Sequence, residues 1–317
     1  MFKSKAASTI SCLLRRHSRM FKLRLSRLGL VAYEPRTATT IRLEPEETES
    51  FLGRNIPFTE LDDFAEVVHL EVAARCQLAC SYCYARDRPK MELSTGQWKA
   101  IINDLASYGV LQITFGGGEP TLREDLKELA LHARRAGLNL AMTTNGLKLP
   151  ELGPDVLGLF NQINVSYHGD EHRLWQALWH LDANKIPRGI NFLATAEYLP
   201  CLPFIALFAE MFDAELLLLT AKGIESAPGP EAAMAEARKL LEQDIRVAVD
   251  GLTCSREMPD YCMQKRRFCT IDAAGSVLPC SFIRKPIGNL LNQPFTEIWR
   301  SRGEQVPCPY VKGEPHG

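Results

Sequence analysis

The chain has 317 residues, 46% of them hydrophobic and 24% charged, with a formal net charge of −1 at pH 7. That length buries a full core, as one large domain or two unequal ones, and the balanced charge gives no overall attraction to nucleic acid or acidic lipid. The longest apolar runs, such as 214–221, are too short to cross a bilayer.

The N-terminus is locally basic. Lys3, Lys5, Arg15, Arg16, Arg19, Lys22, Arg24 and Arg27 meet no acid before Leu30. No continuous apolar stretch is present, so no secretory signal is expected. Ile10, Leu13, Leu14, His17 and Phe21 recur at the spacing of a basic amphipathic helix. A solvated helix or tail satisfies that pattern. An acidic peptide partner, a membrane surface and an organellar transit role also satisfy it, and spacing does not rank them. Residues 30–43, LVAYEPRTATTIRL, suggest a β-hairpin. Residues 1–62 are read as a basic extension.

From Val67 onward, short runs rich in Val, Ile and Leu alternate with helical stretches. The predicted strands are Val67–Val72, Leu111–Phe115, Leu138–Thr144, Gln162–Tyr167, Ile190–Thr195 and Glu215–Thr220. Helices are predicted at Ser94–Tyr108, capped by Ser94 and stopped by Gly109, and at Arg123–Ala136, stopped by Gly137. Such alternation specifies an α/β fold with a parallel sheet and right-handed crossovers. Six βα units are too few to close an eight-stranded barrel, so a partial (β/α)6 TIM-like barrel is expected over residues 63–250. Trp175 and Trp179, four apart, are expected to pack one helix face on the barrel.

Cys76, Cys80 and Cys83 stand in the loop after the first barrel strand, at the strand end where parallel α/β folds bind ligands. Ten cysteines, clustered in a large chain, read as thiols of a reducing compartment, so a cytoplasmic protein is expected. Zinc sites repeat C-x2-C. A C-x3-C-x2-C set with no fourth cysteine nearby suits a cubane iron–sulfur cluster with one iron left open. The second strand ends in FGGGEP, 115–120, where three glycines admit close backbone approach and Glu119 offers a carboxylate to an ammonium group. The third and fourth strands end in TTNG, 143–146, and VSYHG, 165–169. These place Thr144, Asn145 and Ser166 on the same rim, where ordinary turn chemistry is the competing explanation. His168 and His172 follow, and a histidine in such a loop is more often structural. Lys222 and Asp250 carry no clear role.

The residues Cys76-x3-Cys80-x-Tyr82-Cys83, Gly116-Gly117-Gly118-Glu119-Pro120, Asn145 and Ser166 together resemble the radical S-adenosylmethionine (radical SAM) superfamily. The resemblance implies a [4Fe–4S] cluster on Cys76, Cys80 and Cys83, with SAM on the open iron. It also implies a methionyl ammonium held by the Gly-Gly-Glu turn, and contacts from Asn145 and Ser166 to ribose or carboxylate. A flavodoxin- or ferredoxin-type electron donor would reduce the cluster. A 5′-deoxyadenosyl radical would then take a substrate hydrogen, chemistry that the cofactor carries and the protein positions.

A second thiol set follows in residues 251–317: Cys254, Cys262, Cys269, Cys280 and Cys308. The stretch 268–282, FCTIDAAGSVLPCSF, reads as a β-hairpin turning at Ala274-Gly275, and 287–299 as a turn and short helix. Cys262-x12-Gly275-x4-Cys280 and the following GNL resemble the twitch and SPASM extensions of the superfamily, closer to the shorter twitch form. The resemblance implies one auxiliary [4Fe–4S] cluster on Cys262, Cys269 and Cys280, with Cys308 or alternatively Cys254 as fourth ligand. If the one left over faced the cavity, it could return a hydrogen atom to a substrate radical. Buried packing or zinc are the competing explanations. Cys12 and Cys201 fit neither set.

The expected activity is a radical SAM oxidoreductase that modifies a ribosomally made peptide or protein by crosslinking, epimerisation or oxidation. A small-molecule dehydrogenase or cofactor-biosynthesis enzyme is the alternative. A fold retained as a non-catalytic metal module is a third, disfavoured by the intact motifs. No nucleic-acid surface is expected, since Arg284-Lys285-Pro286 is basic without interleaved aromatics.

Overall fold

The computed structural model describes residues 21–34, 39–61, 64–220, 230–250 and 267–302. The chain divides into two compact units, Met1–Ala65 and Glu66–Gly317. The predicted helix over Ile10–Phe21 falls almost wholly outside the described residues.

In the first unit, β1 (Lys22–Ser26), β2 (Gly29–Glu34) and β3 (Thr39–Leu43) form an antiparallel sheet in that order. The 30–43 hairpin is thus present. The strand before it was hidden by its charge, because Lys22 and Arg24 alternate with leucines. Helix α1 (Pro45–Leu52) starts on a Glu44/Glu47 capping box and ends on left-handed Gly53, a cap that glycine adopts without a Cβ clash. Leu30, Ala32 and Leu43 are buried under Phe21, Leu25, Ile41 and Phe51.

The second unit is built on a ten-stranded sheet. Parallel strands β4 (Val67–Ala73), β5 (Gln112–Gly117), β6 (Asn139–Thr144), β7 (Gln162–Ser166), β8 (Arg188–Ala194), β9 (Glu215–Thr220) and β10 (Val247–Val249) follow one another in space. The six predicted strands are the first six of these, and the seventh is too short to give a periodic signal. The longer intervening helices are α2 (Thr95–Tyr108), α3 (Leu126–Arg135), α4 (Glu171–Ala183), α5 (Leu202–Met211) and α6 (Pro230–Glu242), with a single turn of helix at Pro154–Leu157 between β6 and β7. Ser94 caps α2 by accepting from the Gln97 N–H, and Gly109 ends it in the left-handed region. Residues alternate along each strand: Val68, Leu70, Val72, Ile113, Phe115, Leu140, Met142, Ile163 and Val165 are buried apolar positions, while His69, Glu71, Thr143, Ser166 and Asn191 take the other face.

The C-terminal hairpin continues the same sheet. Strand β11 (Phe268–Ile271) runs parallel to β4, with Cys269 opposite Val68, and is followed by antiparallel β12 (Ser276–Leu278) and β13 (Gly288–Asn289). Gly275 turns the hairpin at φ 82°, and α7 (Phe295–Ser301) buries Phe295, Ile298 and Trp299. The sheet therefore ends in β10 on one side and β13 on the other, an open partial barrel carrying a hairpin and helix.

One expectation fails. Trp175 and Trp179 do stack, 6.4 Å apart at 11°, but on the outer surface of α4, 39% and 54% exposed. Their spacing puts two rings on one face without saying which way that face points. No helix among the described residues is long and apolar enough to cross a membrane.

Candidate functional site

Strand β4 runs directly into the cysteine loop, whose two ends are tied together by one side chain. The Arg88 guanidinium donates to Ala74 O at 2.6 Å and Ala85 O at 2.8 Å, and approaches Cys83 Sγ at 3.5 Å. Glu92 accepts from the backbone N–H groups of Ala74 and Arg75 at 2.9 and 3.1 Å. Burial opposes its charge, but those donors and Arg75 hold its carboxyl below the ordinary value, so it clamps the root of the loop as an anion.

The glycine triplet of β5 packs on that root. A Cβ at Gly117 would lie 2.5 Å from Ala73 O, and one at Gly118 2.0 Å from Arg75 O. Gly118 N–H donates to Ala73 O at 2.6 Å and Glu119 N–H to Arg75 O at 2.8 Å. Gly117 also has φ 110°. These residues are glycines first because the cysteine loop passes against them.

Glu119 is 1% exposed and heavily engaged. Its Oε1 accepts from Thr121 N–H at 3.1 Å, Thr121 Oγ1 at 2.7 Å and Thr144 Oγ1 at 2.7 Å, and its Oε2 accepts from Asn145 N–H at 2.7 Å. A carboxylate has about four lone-pair sites, so Glu119 works mainly as a staple between the GGGEP and TTNG turns. Asn145, thus fixed, turns its Nδ2 to Gln77 Oε1 at 3.2 Å and Cys76 Sγ at 3.9 Å.

All ten residues predicted for the first site border a single cavity of about 210 Å³: Cys76, Cys80, Tyr82, Cys83, Gly116, Gly117, Gly118, Glu119, Asn145 and Ser166. Among the described residues, no three thiol, imidazole or carboxyl groups gather closely enough to hold one metal ion. A cubane asks for something else: each thiol bonds a separate iron. Three cysteines spread along one cavity wall, beside a glycine turn, fit that donor set. Burial pushes the Cys80 thiol up, the Tyr82 hydrogen bond opposes this and Cys83 and Cys76 add to the rise; a bound cluster would supply the positive charge that deprotonates it.

Several neighbours were missed or undervalued. His168, in a loop where a structural histidine is the commoner expectation, is in the cavity wall, with Nδ1 2.8 Å from the Tyr82 hydroxyl and 3.7 Å from Cys80 Sγ. Burial and then the Arg173 charge lower it to about 4, so the imidazole is neutral. His172 is exposed. His69, Tyr84, Asn191 and Phe282 also line the cavity. The signal for His69 was available: with Glu71 it interrupts an otherwise apolar strand at alternate positions, which marks a polar lumen. Phe282 gave no signal, since it arrives from the far hairpin. It packs on Tyr84 at 5.4 Å, and Arg284 beside it donates to both oxygens of the fully buried Glu71 at 2.5 and 3.0 Å.

The second thiol set is only partly placed. Cys269 and Cys280 are buried at 0% and 3% exposure, on β11 and just beyond β12, outside the cavity of the first three. Burial pushes the Cys269 thiol up. Cys254, Cys262 and Cys308 lie outside the described residues, as do Cys12 and Lys222. Asp250 accepts from Thr220 Oγ1 at 3.1 Å and is not in the cavity wall.

Comparison with known proteins agrees with this geometry. Residues 70–189 match the radical SAM superfamily model and residues 262–312 that of the SPASM iron–sulfur cluster-binding domain, the longer of the two extensions the cysteine pattern resembles. The PqqA peptide cyclase of Rhodopseudomonas palustris is 31% identical over 279 residues, 74% of this chain and 73% of the relative. The Fe-coproporphyrin III synthase of Methanosarcina barkeri is 43% identical over 108 residues, 31% of this chain and 27% of the relative. Among solved structures, Streptococcus suis SuiB bound to its precursor peptide SuiA shares the fold with a TM-score of 0.71, at 13% identity over 90% of this chain and 88% of that one. With its cysteine loop, glycine turn and C-terminal hairpin so matched, the chain belongs to the radical SAM superfamily and carries a C-terminal SPASM iron–sulfur domain.

Proposed function

We propose that the chain is a peptide-modifying radical SAM enzyme in which Cys76, Cys80 and Cys83 hold the SAM-binding [4Fe–4S] cluster. The observation that carries this is the meeting of all three thiols with the Gly116–Glu119 turn, Asn145 and Ser166 in one cavity wall. When bound, the reduced cluster and SAM supply a 5′-deoxyadenosyl radical that abstracts a substrate hydrogen atom.

The protein's own residues do the positioning. Gly117 and Gly118 bring backbone against the cysteine loop, and Glu119 fixes the two turns that would hold the methionyl group. Asn145 and Ser166 offer polar contacts on the same rim. His69, Tyr84 and Phe282 form an aromatic wall, and Thr143 and Asn191 a polar one. Enclosure suits a primary carbon radical, which attacks whatever lies near it.

On this reading residues 1–62 form a basic extension, 63–250 the partial barrel and 251–317 the auxiliary domain. Cys262, Cys269, Cys280 and Cys308, or Cys254 in place of Cys308, hold one auxiliary [4Fe–4S] cluster. The buried pair Cys269 and Cys280 at the hairpin base supports it. A peptide substrate is supported by the likeness to the PqqA peptide cyclases and to SuiB, solved with a precursor peptide bound. The small-molecule alternative has one specific support, the stretch shared with an iron-coproporphyrin synthase. An electron donor of flavodoxin or ferredoxin type completes the reading.

Anaerobically reconstituted, dithionite-reduced protein will release 5′-deoxyadenosine from SAM. Replacing Cys76, Cys80 and Cys83 together by Ala will abolish that release and lower iron from roughly eight to roughly four atoms per chain. SAM cleavage by the triple variant would refute the assignment. Deuterium passing from a labelled peptide, and not from a labelled porphyrin precursor, into 5′-deoxyadenosine separates the two substrate classes.

A further inference from the structure

The outer face of the cysteine loop carries an excess of positive charge. Between Ala74 and Met91 stand four cations, Arg75, Arg86, Arg88 and Lys90, against the single acid Asp87, in a protein whose net charge is −1. Two of the four are committed: Arg88 ties the loop closed, and Arg75 pairs with Glu92 at 3.2 Å. Arg86 and Lys90 are exposed and make no ion pair among the described residues. Beside them Met91 is 60% exposed, an apolar point within a cationic rim, the composition of a protein-docking patch.

This patch is set off from the substrate cavity. Arg86, Lys90 and Met91 are not among its lining residues, whereas Arg88 is. Yet it lies very close to the thiols. The Arg86 N–H donates to Cys83 O at 3.3 Å, and the Cys83 N–H to Cys80 O at 3.2 Å, so one tight turn separates the exposed Arg86 from two of the three cysteines. Ala79 and Ser81, between the cysteines, are exposed as well.

We propose that Arg86, Lys90 and Met91 form the docking surface for an acidic one-electron carrier protein that reduces the group held by Cys76, Cys80 and Cys83. The inference rests on the function proposed above and adds where the electron enters. Electron transfer falls steeply with distance, so a carrier must dock close to the thiols, and the exposed Ala79, Ser81 and Arg86 of this loop stand beside Cys80 and Cys83. Opposite charge steers such an encounter and speeds it. The step balances: an anionic FMN hydroquinone gives up one electron to become the neutral semiquinone, and the oxidised cluster accepts that electron.

The test uses the reconstituted holoenzyme and a purified flavodoxin in its hydroquinone state. Semiquinone formation is followed by stopped-flow absorbance, and binding of oxidised flavodoxin by calorimetry. Raising salt from about 50 to about 500 mM, which shortens screening to a few ångströms, will slow the transfer about tenfold. The double variant R86E/K90E will do the same at low salt and weaken binding about tenfold, while dithionite-driven release of 5′-deoxyadenosine stays at the wild-type rate. Transfer and binding indifferent to both salt and charge reversal would overturn the docking surface. So would a double variant that also loses dithionite-driven release, since the two side chains would then act on the site itself. Failure of the wild type to release 5′-deoxyadenosine with dithionite would instead count against the function proposed above, and the calorimetric result would still decide whether the patch binds an acidic carrier.

Discussion

Two side chains carry the sharpest consequences. Glu119 holds the Gly-rich turn to Thr144 and Asn145 through four donors, so E119Q leaves an amide facing donors in a buried place. Each buried donor left unmatched costs about 1–3 kcal/mol. We expect SAM cleavage by E119Q to fall about a hundredfold while iron content is kept, measured as 5′-deoxyadenosine release per iron. His69 makes a different prediction. Its Nδ1 meets Ser281 Oγ at 3.4 Å, its Nε2 is buried without a partner among the described residues, and Arg284 stands nearby. Burial, then that positive charge, lowers it to about 4 from 6.5. The unfolded chain therefore binds the proton more readily, and acid favours unfolding. Stability assignable to His69 is complete above pH 6.5 and is lost as pH falls toward 4, on the order of 3 kcal/mol at the acid limit. Thermal melts of H69Q should lose less on going from pH 7 to pH 5 than those of the wild type. Tyr84, which also faces this region, does not titrate in that interval: burial, then the charge of Glu71, pushes its hydroxyl further up.

At the scale of elements, the hairpin is latched to the first barrel strand. Ser281 Oγ lies 3.4 Å from His69 Nδ1, and Arg284 covers Glu71. Removing one partner of a buried pair strands the other, typically at 3–5 kcal/mol. R284M should therefore lower the melting temperature severely, and E71Q/R284M should recover part of the loss, as read by paired melts. What sequence could show divides along the same line. The six barrel strands, the α2 cap and the Gly275 turn are local in origin, and their patterns were plain. So were Cys76, Cys80 and Cys83 with the glycine triplet, because spacing alone brings them to one rim. The Glu71–Arg284 and His69–Ser281 contacts join residues over two hundred positions apart, which no local pattern encodes. Strand β1 was masked by its cations, and the outward face of Trp175 and Trp179 by a periodicity that has no sign.

For the whole molecule, the continuous sheet matters most. Because β11 pairs with β4, a chain ending after Asp250 would bare the edge of its first barrel strand, Val67–Ala73, to other chains. Unpaired edges of apolar strands recruit partners. Such a truncation should elute from a sizing column as aggregate, where the full chain runs as a discrete species.

The same pairing fixes a length. Cys269 sits level with Val68, near the start of the strand whose other end, Ala73, opens the loop of Cys76, Cys80 and Cys83. Five residues of extended backbone, at about 3.3 Å each, place roughly 17 Å between those levels. A strand can neither stretch nor fold to alter that gap. Any electron passing between Cys269 and the first three thiols therefore starts from a level that covalent geometry holds a strand's length away from the root of their loop.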